Sequence, residues 1–123
     1  MEFFVVHYAP DLQGRMNVGV VLFERVGGNI TFAKARFTRN MQRILAWDSD
    51  ADIAILRSLF QDIERTLDNP SDRERVLSMM QDTFSNVFQL SEVKGIVALG
   101  EPEAELDRLA SVYLPAEADP QSI

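Results

Sequence analysis

The sequence contains no cysteine, one histidine and one tryptophan. Without cysteine there is no disulfide, no thiolate nucleophile, no iron–sulfur cluster and no Cys-type zinc site. A single imidazole also rules out any zinc site that draws two histidines from one chain. No apolar run approaches the roughly 18 residues of a membrane helix, so a helical span is excluded. The opening MEFFVVHYAP lacks a basic stretch and carries Glu2. That argues against a signal peptide and predicts a cytoplasmic location. Gly-Lys-Ser/Thr and Gly-x-Gly are missing too, which removes the phosphate-loop and dinucleotide fingerprints. No cofactor and no resident metal are expected.

What is present is ordinary for one globular domain: 123 residues, 46% hydrophobic and 25% charged. The charge is uneven. Residues 1–47 carry six cations and three acids, whereas 48–123 carry six cations and sixteen acids, within a net charge of −7. Such a chain can present a basic patch on an acidic body, and the plain alternative is a set of solvated acidic helices.

The first third reads as β structure. EFFVVHYA (2–9) is aromatic and β-branched with both faces apolar, which suits a central strand. PDLQGRM (10–16) is a turn, NVGVVLFER (17–25) a second strand, and Gly27-Gly28-Asn29 a hairpin signal leading into ITFAKARF (30–37). From Thr38 the period becomes helical. Thr38 is expected to cap RNMQRILAW, with Met41, Ile44 and Leu45 on one face. Ile53, Leu56, Phe60, Ile63 and Leu67 form the stripe of a helix over about 50–68, capped by Ser49 or Asp50 and stopped by Asn69-Pro70. Ser71 and Glu74 fit a capping box for a third helix, with Val76, Leu77, Met80 and Phe84 inward. Residues 86–91 and 95–99 look extended. Pro102 opens a last helix that buries Leu106, Leu109, Ala110 and Tyr113. The prediction is one α+β domain over 1–114: a small antiparallel sheet of three to five strands, beginning with a three-strand meander, packed with about four helices. Residues 115–123 have little to bury and are expected to be disordered.

Candidate chemistry is sparse. Asp48-Ser49-Asp50-Ala51-Asp52 has the acids of a calcium loop, but its sixth and twelfth positions are Ile53 and Leu59 rather than Gly and Glu. Helix capping explains these acids better. His7 has no serine or carboxylate near it in sequence, and reads as a half-buried histidine with a satisfied hydrogen bond. Gly14, Arg15, Asn17 and Gly19 could hold a small anion or peptide, although a glycine within a strand more commonly marks a bulge or a close backbone approach. Tyr8 and Tyr113 read as core or rim aromatics. Arg36, Arg39, Arg43 and Trp47 make the most suggestive surface. Arg39 and Arg43 are four apart, and arginine with tryptophan suits a binding face.

His7-Tyr8-Ala9-Pro10-Asp11 through Gly14, followed by Asn17-Val18-Gly19-Val20-Val21-Leu22-Phe23, resembles the opening of a bacterial family catalogued as domain of unknown function 3037. Phe88-Gln89-Leu90-Ser91-Glu92-Val93-Lys94-Gly95, then Glu101-Pro102-Glu103-Ala104-Glu105-Leu106, is similar to its closing motif. The likeness covers nearly the whole chain. Members more often carry Arg or Tyr in place of His7, and Pro in place of Val93. The resemblance implies a fold unit without catalytic residues to carry over. Members are encoded beside HipA-like kinase-fold proteins, so it also implies a protein partner of that kind.

Three functional classes follow. The favoured one is a non-catalytic protein-interaction module, acting with such a partner. A nucleic-acid-binding protein using the basic sheet-and-helix face is the alternative, opposed by a pI near 4.6. A small hydrolase or nuclease is the third, and no motif speaks for it.

Overall fold

The computed structural model describes residues 1–10, 14–83, 88–97 and 100–114. Five antiparallel strands form the sheet: β1 (Glu2–Tyr8), β2 (Met16–Val26), β3 (Asn29–Phe37), β4 (Phe88–Leu90) and β5 (Lys94–Gly95). The order is β3-β2-β1-β4, and β5 also pairs with β1. The four helices are α1 (Met41–Trp47), α2 (Ile53–Leu67), α3 (Arg73–Thr83) and α4 (Pro102–Tyr113). The expected α+β domain with its N-terminal meander is thus observed.

β1 is central, as its two apolar faces require. Phe4, Val6 and Tyr8 face the larger core, where Phe37, Ile44, Phe60, Leu67 and Met80 close against them from β3 and from α1–α3. Phe3 and Val5 face a smaller core with Val20, Leu22, Leu106 and Leu109, covered by α4. The sheet is therefore a middle layer, helices on both sides. Gly27 and Gly28 both have positive φ, +59° and +85°, and close the β2–β3 hairpin as a two-residue turn of the type whose twist matches the strands.

One irregularity in β2 decides what faces where. Val6 pairs with Gly19 but His7 pairs with Asn17, so Val18 is one residue extra. This bulge turns Asn17 onto the α4 face beside His7, where regular pairing would have set it opposite Tyr8. Gly19 is required at the bulge. A Cβ there would lie 2.4 Å from Cε1 of Phe37, whose ring covers the backbone.

The outer edge of β3 is covered by side chains at its two ends. Phe37 N–H donates to Glu64 on α2 at 2.8 Å and Ile30 N–H to Glu74 on α3 at 3.4 Å. Arg73 donates to the Thr31 carbonyl at 3.0 Å. On the opposite edge, β4 and β5 are separated by an irregular stretch pinned to β1. Val5 N–H donates to Ser91 Oγ, and Ser91 N–H to the Val5 carbonyl. Val93, where members of the resembling family carry Pro, lies exposed in this gap.

The caps differ from expectation. Asn40, rather than Thr38, caps α1 by accepting from Arg43 N–H; Thr38 is buried, with its own N–H on the Val18 carbonyl and its Oγ accepting from Asn40 N–H. Asp52, not Ser49 or Asp50, caps α2, because its carboxylate reaches Ile55 N–H. The Ser71–Glu74 box does not form: Ser71 is tied to the Asn69 side chain, and Glu74 is spent on β3. Leu45 is exposed rather than inward. Phe84, the segment 98–99 and the tail 115–123 lie outside the described residues.

Candidate functional site

At one end of the sheet, the start of β2, the end of α1 and the end of α4 converge on an open depression of about 470 Å³. Arg15, Met16 and Asn17 line it from β2 and its approach, Arg43 and Trp47 from α1, and Tyr113 and Leu114 from α4. Residues distant in sequence are thus brought together: Arg15 and Asn17 of the loop set, and Arg43 and Trp47 of the arginine–tryptophan set, whereas Gly19 lies against Phe37.

Each wall is held from behind. The Tyr8 ring meets Trp47 edge-on at 6.2 Å, and the Tyr8 hydroxyl donates to Asp48 at 2.7 Å. Burial, then the hydrogen bond to the Asp48 carboxylate and its charge, push the Tyr8 phenol well above its usual range. Gly14, at φ +137°, runs past the indole; a Cβ there would stand 4.0 Å from Trp47 Cζ2. With Tyr8 behind it and Gly14 alongside, Trp47 remains 40% exposed.

Asn17 joins β1 to α4. Its Nδ2 donates to the Tyr113 carbonyl at 2.8 Å, which leaves Oδ1 to accept from His7 Nδ1 at 2.7 Å. The proton of neutral His7 therefore sits on Nδ1. Tyr113 packs against Phe3 at 5.6 Å, and the Lys94 ammonium lies 5.6 Å from its ring centre. His7 has the expected hydrogen bond but is buried rather than half-buried, and desolvation holds it below the ordinary imidazole range despite that bond; Arg15 and Lys94 push the same way. The unfolded chain accordingly takes up this proton first. Stability contributed by His7 is complete above pH 6.5 and is lost as pH falls through that value toward the lowered folded pKa. Urea unfolding at about pH 7 and 5 should show a smaller loss in a His7→Gln variant than in wild type. Equal losses would remove His7 from this role.

The other predicted arginines do not reach the depression. Arg36 points to the α4 face, 2.6 Å from Asp107, next to Lys34, which bridges Asp68 and Glu103 at 3.1 and 3.0 Å. Arg39 lies on the other face, 3.8 Å from Glu64, beside a smaller cleft that Phe37, Met41, Arg57 and Phe60 help to line. The expected patch is therefore divided by the sheet, because Arg36 precedes and Arg39 follows the turn from β3 into α1. Arg15 and Arg43 have no ion pair among the described residues. Asp48 and Asp52 of the acidic loop serve Tyr8 and the α2 cap, and no group of three metal-ligating side chains occurs among the described residues.

Sequence reading missed three polar groups that orient the elements: Glu64 and Glu74 on the β3 edge, and buried Glu105, held by Arg108 at 2.6 Å. A helical carboxylate aimed at a strand edge leaves no local signature.

The architecture defines a class first: a five-stranded antiparallel sheet between three helices and one, with its polar convergence at one end. The family model for "Protein of unknown function (DUF3037)" matches residues 3–114, and the chain belongs to that family. No curated protein and no solved structure matches it significantly. Among the described residues, no helix is long and apolar enough to cross a membrane.

Proposed function

We propose that the protein is a non-catalytic, cytoplasmic interaction module that docks a protein partner at the Arg15–Arg43–Trp47 depression. The partner suggested by the family resemblance is a HipA-like kinase-fold protein. One observation carries the reading: two arginines without ion pairs among the described residues and a half-exposed tryptophan share one concave surface. Arginine and tryptophan are the side chains that dominate interface energetics, and an aromatic held in place loses little freedom on binding. His7 supports this reading through position, since its Nδ1 proton is committed to Asn17 and its work is to hold the wall of the site.

The test uses a purified HipA-like protein and association kinetics. Reversing Arg15 and Arg43 to Glu together should slow association by about tenfold at low salt and flatten its salt dependence. Trp47→Ala should act mainly by speeding dissociation. Reversal of Arg36 and Arg39, which already have partners, should do much less. A pair of variants at 15/43 and 47 that bind like wild type would place the docking face elsewhere.

A further inference from the structure

We propose that the depression takes an acidic peptide segment, a side-chain carboxylate between Arg15 and Arg43 with the adjoining apolar residue laid on Trp47. This rests on the interaction-module reading and names the ligand chemistry of its site.

Charge distribution is the first argument. The chain has 19 acids and a net charge of −7, yet among the described residues none of the seven that line the depression is acidic. Elsewhere the cations of β3 are neutralised: Lys34 and Arg36 are both paired with acids of α4. At the depression Arg15 and Arg43 are exposed and have no ion pair among the described residues, and their planar guanidinium forks match a carboxylate with two parallel hydrogen bonds.

Shape and stiffness are the second. A volume of about 470 Å³ lies in the range of sites for compact ligands, roughly 300–1,000 Å³, and admits a few side chains rather than the convex face of a domain. Trp47 is braced edge-on by Tyr8, and Tyr8 is in turn anchored on Asp48. The exposed part of the indole offers an apolar shelf next to the cations. Asn17, tied on both sides, fixes the floor between them. A site of this kind selects a carboxylate and an apolar group side by side.

An acidic peptide is favoured over nucleic acid because two arginines are the only cations among the described residues that line the depression, on a chain of net charge −7. A polyanion needs a longer positive track, and the remaining charge repels it.

Trp47 is the single tryptophan, so its fluorescence reports the site in the unlabelled full chain. The probe is the blocked tetrapeptide acetyl-Ala-Glu-Leu-Ala-amide, compared with the same peptide carrying Gln for Glu, with inorganic phosphate and with oligothymidylate. The Glu peptide should give a saturable change, with affinity about tenfold above the Gln peptide, as a charge-assisted hydrogen bond to arginine requires. Arg15→Gln and Arg43→Gln should each remove that preference, while Arg39→Gln leaves it intact. Equal affinity for the two peptides, tighter binding of phosphate or oligothymidylate, or no saturable change would overturn the proposal. If the peptide fails but the HipA-like protein still binds in an Arg43-dependent way, the ligand chemistry falls and the docking surface stands. If the peptide binds as expected while the 15/43 reversal leaves the partner's kinetics untouched, the peptide site stands and that partner docks elsewhere.

Discussion

Phe60→Ala should lower the stability of the domain by about 3–5 kcal/mol, read from urea or thermal unfolding. Phe60 comes from the middle of α2 and is 2% exposed. Its ring stacks on Phe37 at 4.6 Å with 10° between planes, and meets Phe88 edge-on at 6.2 Å. It therefore joins three elements, α2, β3 and β4, that are otherwise remote in sequence. Truncation removes both aromatic contacts and leaves a cavity that neighbouring rings on a sheet cannot easily collapse into. For a domain whose whole stability is on the order of 5–15 kcal/mol, this is a large fraction. A variant that unfolds at the wild-type denaturant concentration would take Phe60 out of the core.

Gly19→Val is expected to cost about 3 kcal/mol, near the upper end of core overpacking. The added Cβ would meet Cε1 and Cδ1 of Phe37 at 2.4 and 2.5 Å, and the valine methyl groups would extend further into the same ring. Phe37 is buried and stacked on Phe60, so moving its ring away from Gly19 would disturb that stack. Shrinking the obstacle should help: Gly19→Ala with Phe37→Leu should be less destabilised than the sum of the two single variants. Strict additivity would mean that the ring and the backbone at the bulge are not in contact. Because this bulge sets Asn17 beside His7, a shifted strand should also disturb the His7 ring signals by NMR.

Most of the fold was legible from periodicity. The 3-4-3-4 stripe of α2 appears in the structure with Leu56, Phe60, Ile63 and Leu67 buried, and the two-faced apolar pattern of β1 does correspond to a central strand. Both signals are carried by side chains that report their own environment. The caps were less legible, since Thr38, Ser49, Asp50 and Ser71 all compete chemically with Asn40 and Asp52 for the same duty, and tertiary contacts choose among them. The candidate surface was half legible. Arg43 and Trp47 were marked by type, and Arg15 and Asn17 by their loop, but nothing local said that a one-residue bulge and the end of α4 would bring them together. Arg36 shows the converse. Its neighbours in sequence suggested a shared patch, while strand alternation sent it to Asp107 on the far side of the sheet.

The side chains at the ends of β3 also bear on strand pairing between copies of this chain. A strand arriving there from a neighbour would have to displace the carboxylates of Glu64 and Glu74 and the guanidinium of Arg73, all borne by helices that hold the main core. On the other side, β4 and β5 are short and are interrupted between Leu90 and Lys94. With side chains occupying backbone groups at both ends of β3, a strand adding along that edge meets charged obstacles first, so at high concentration the protein should resist filament growth along β3 by strand addition.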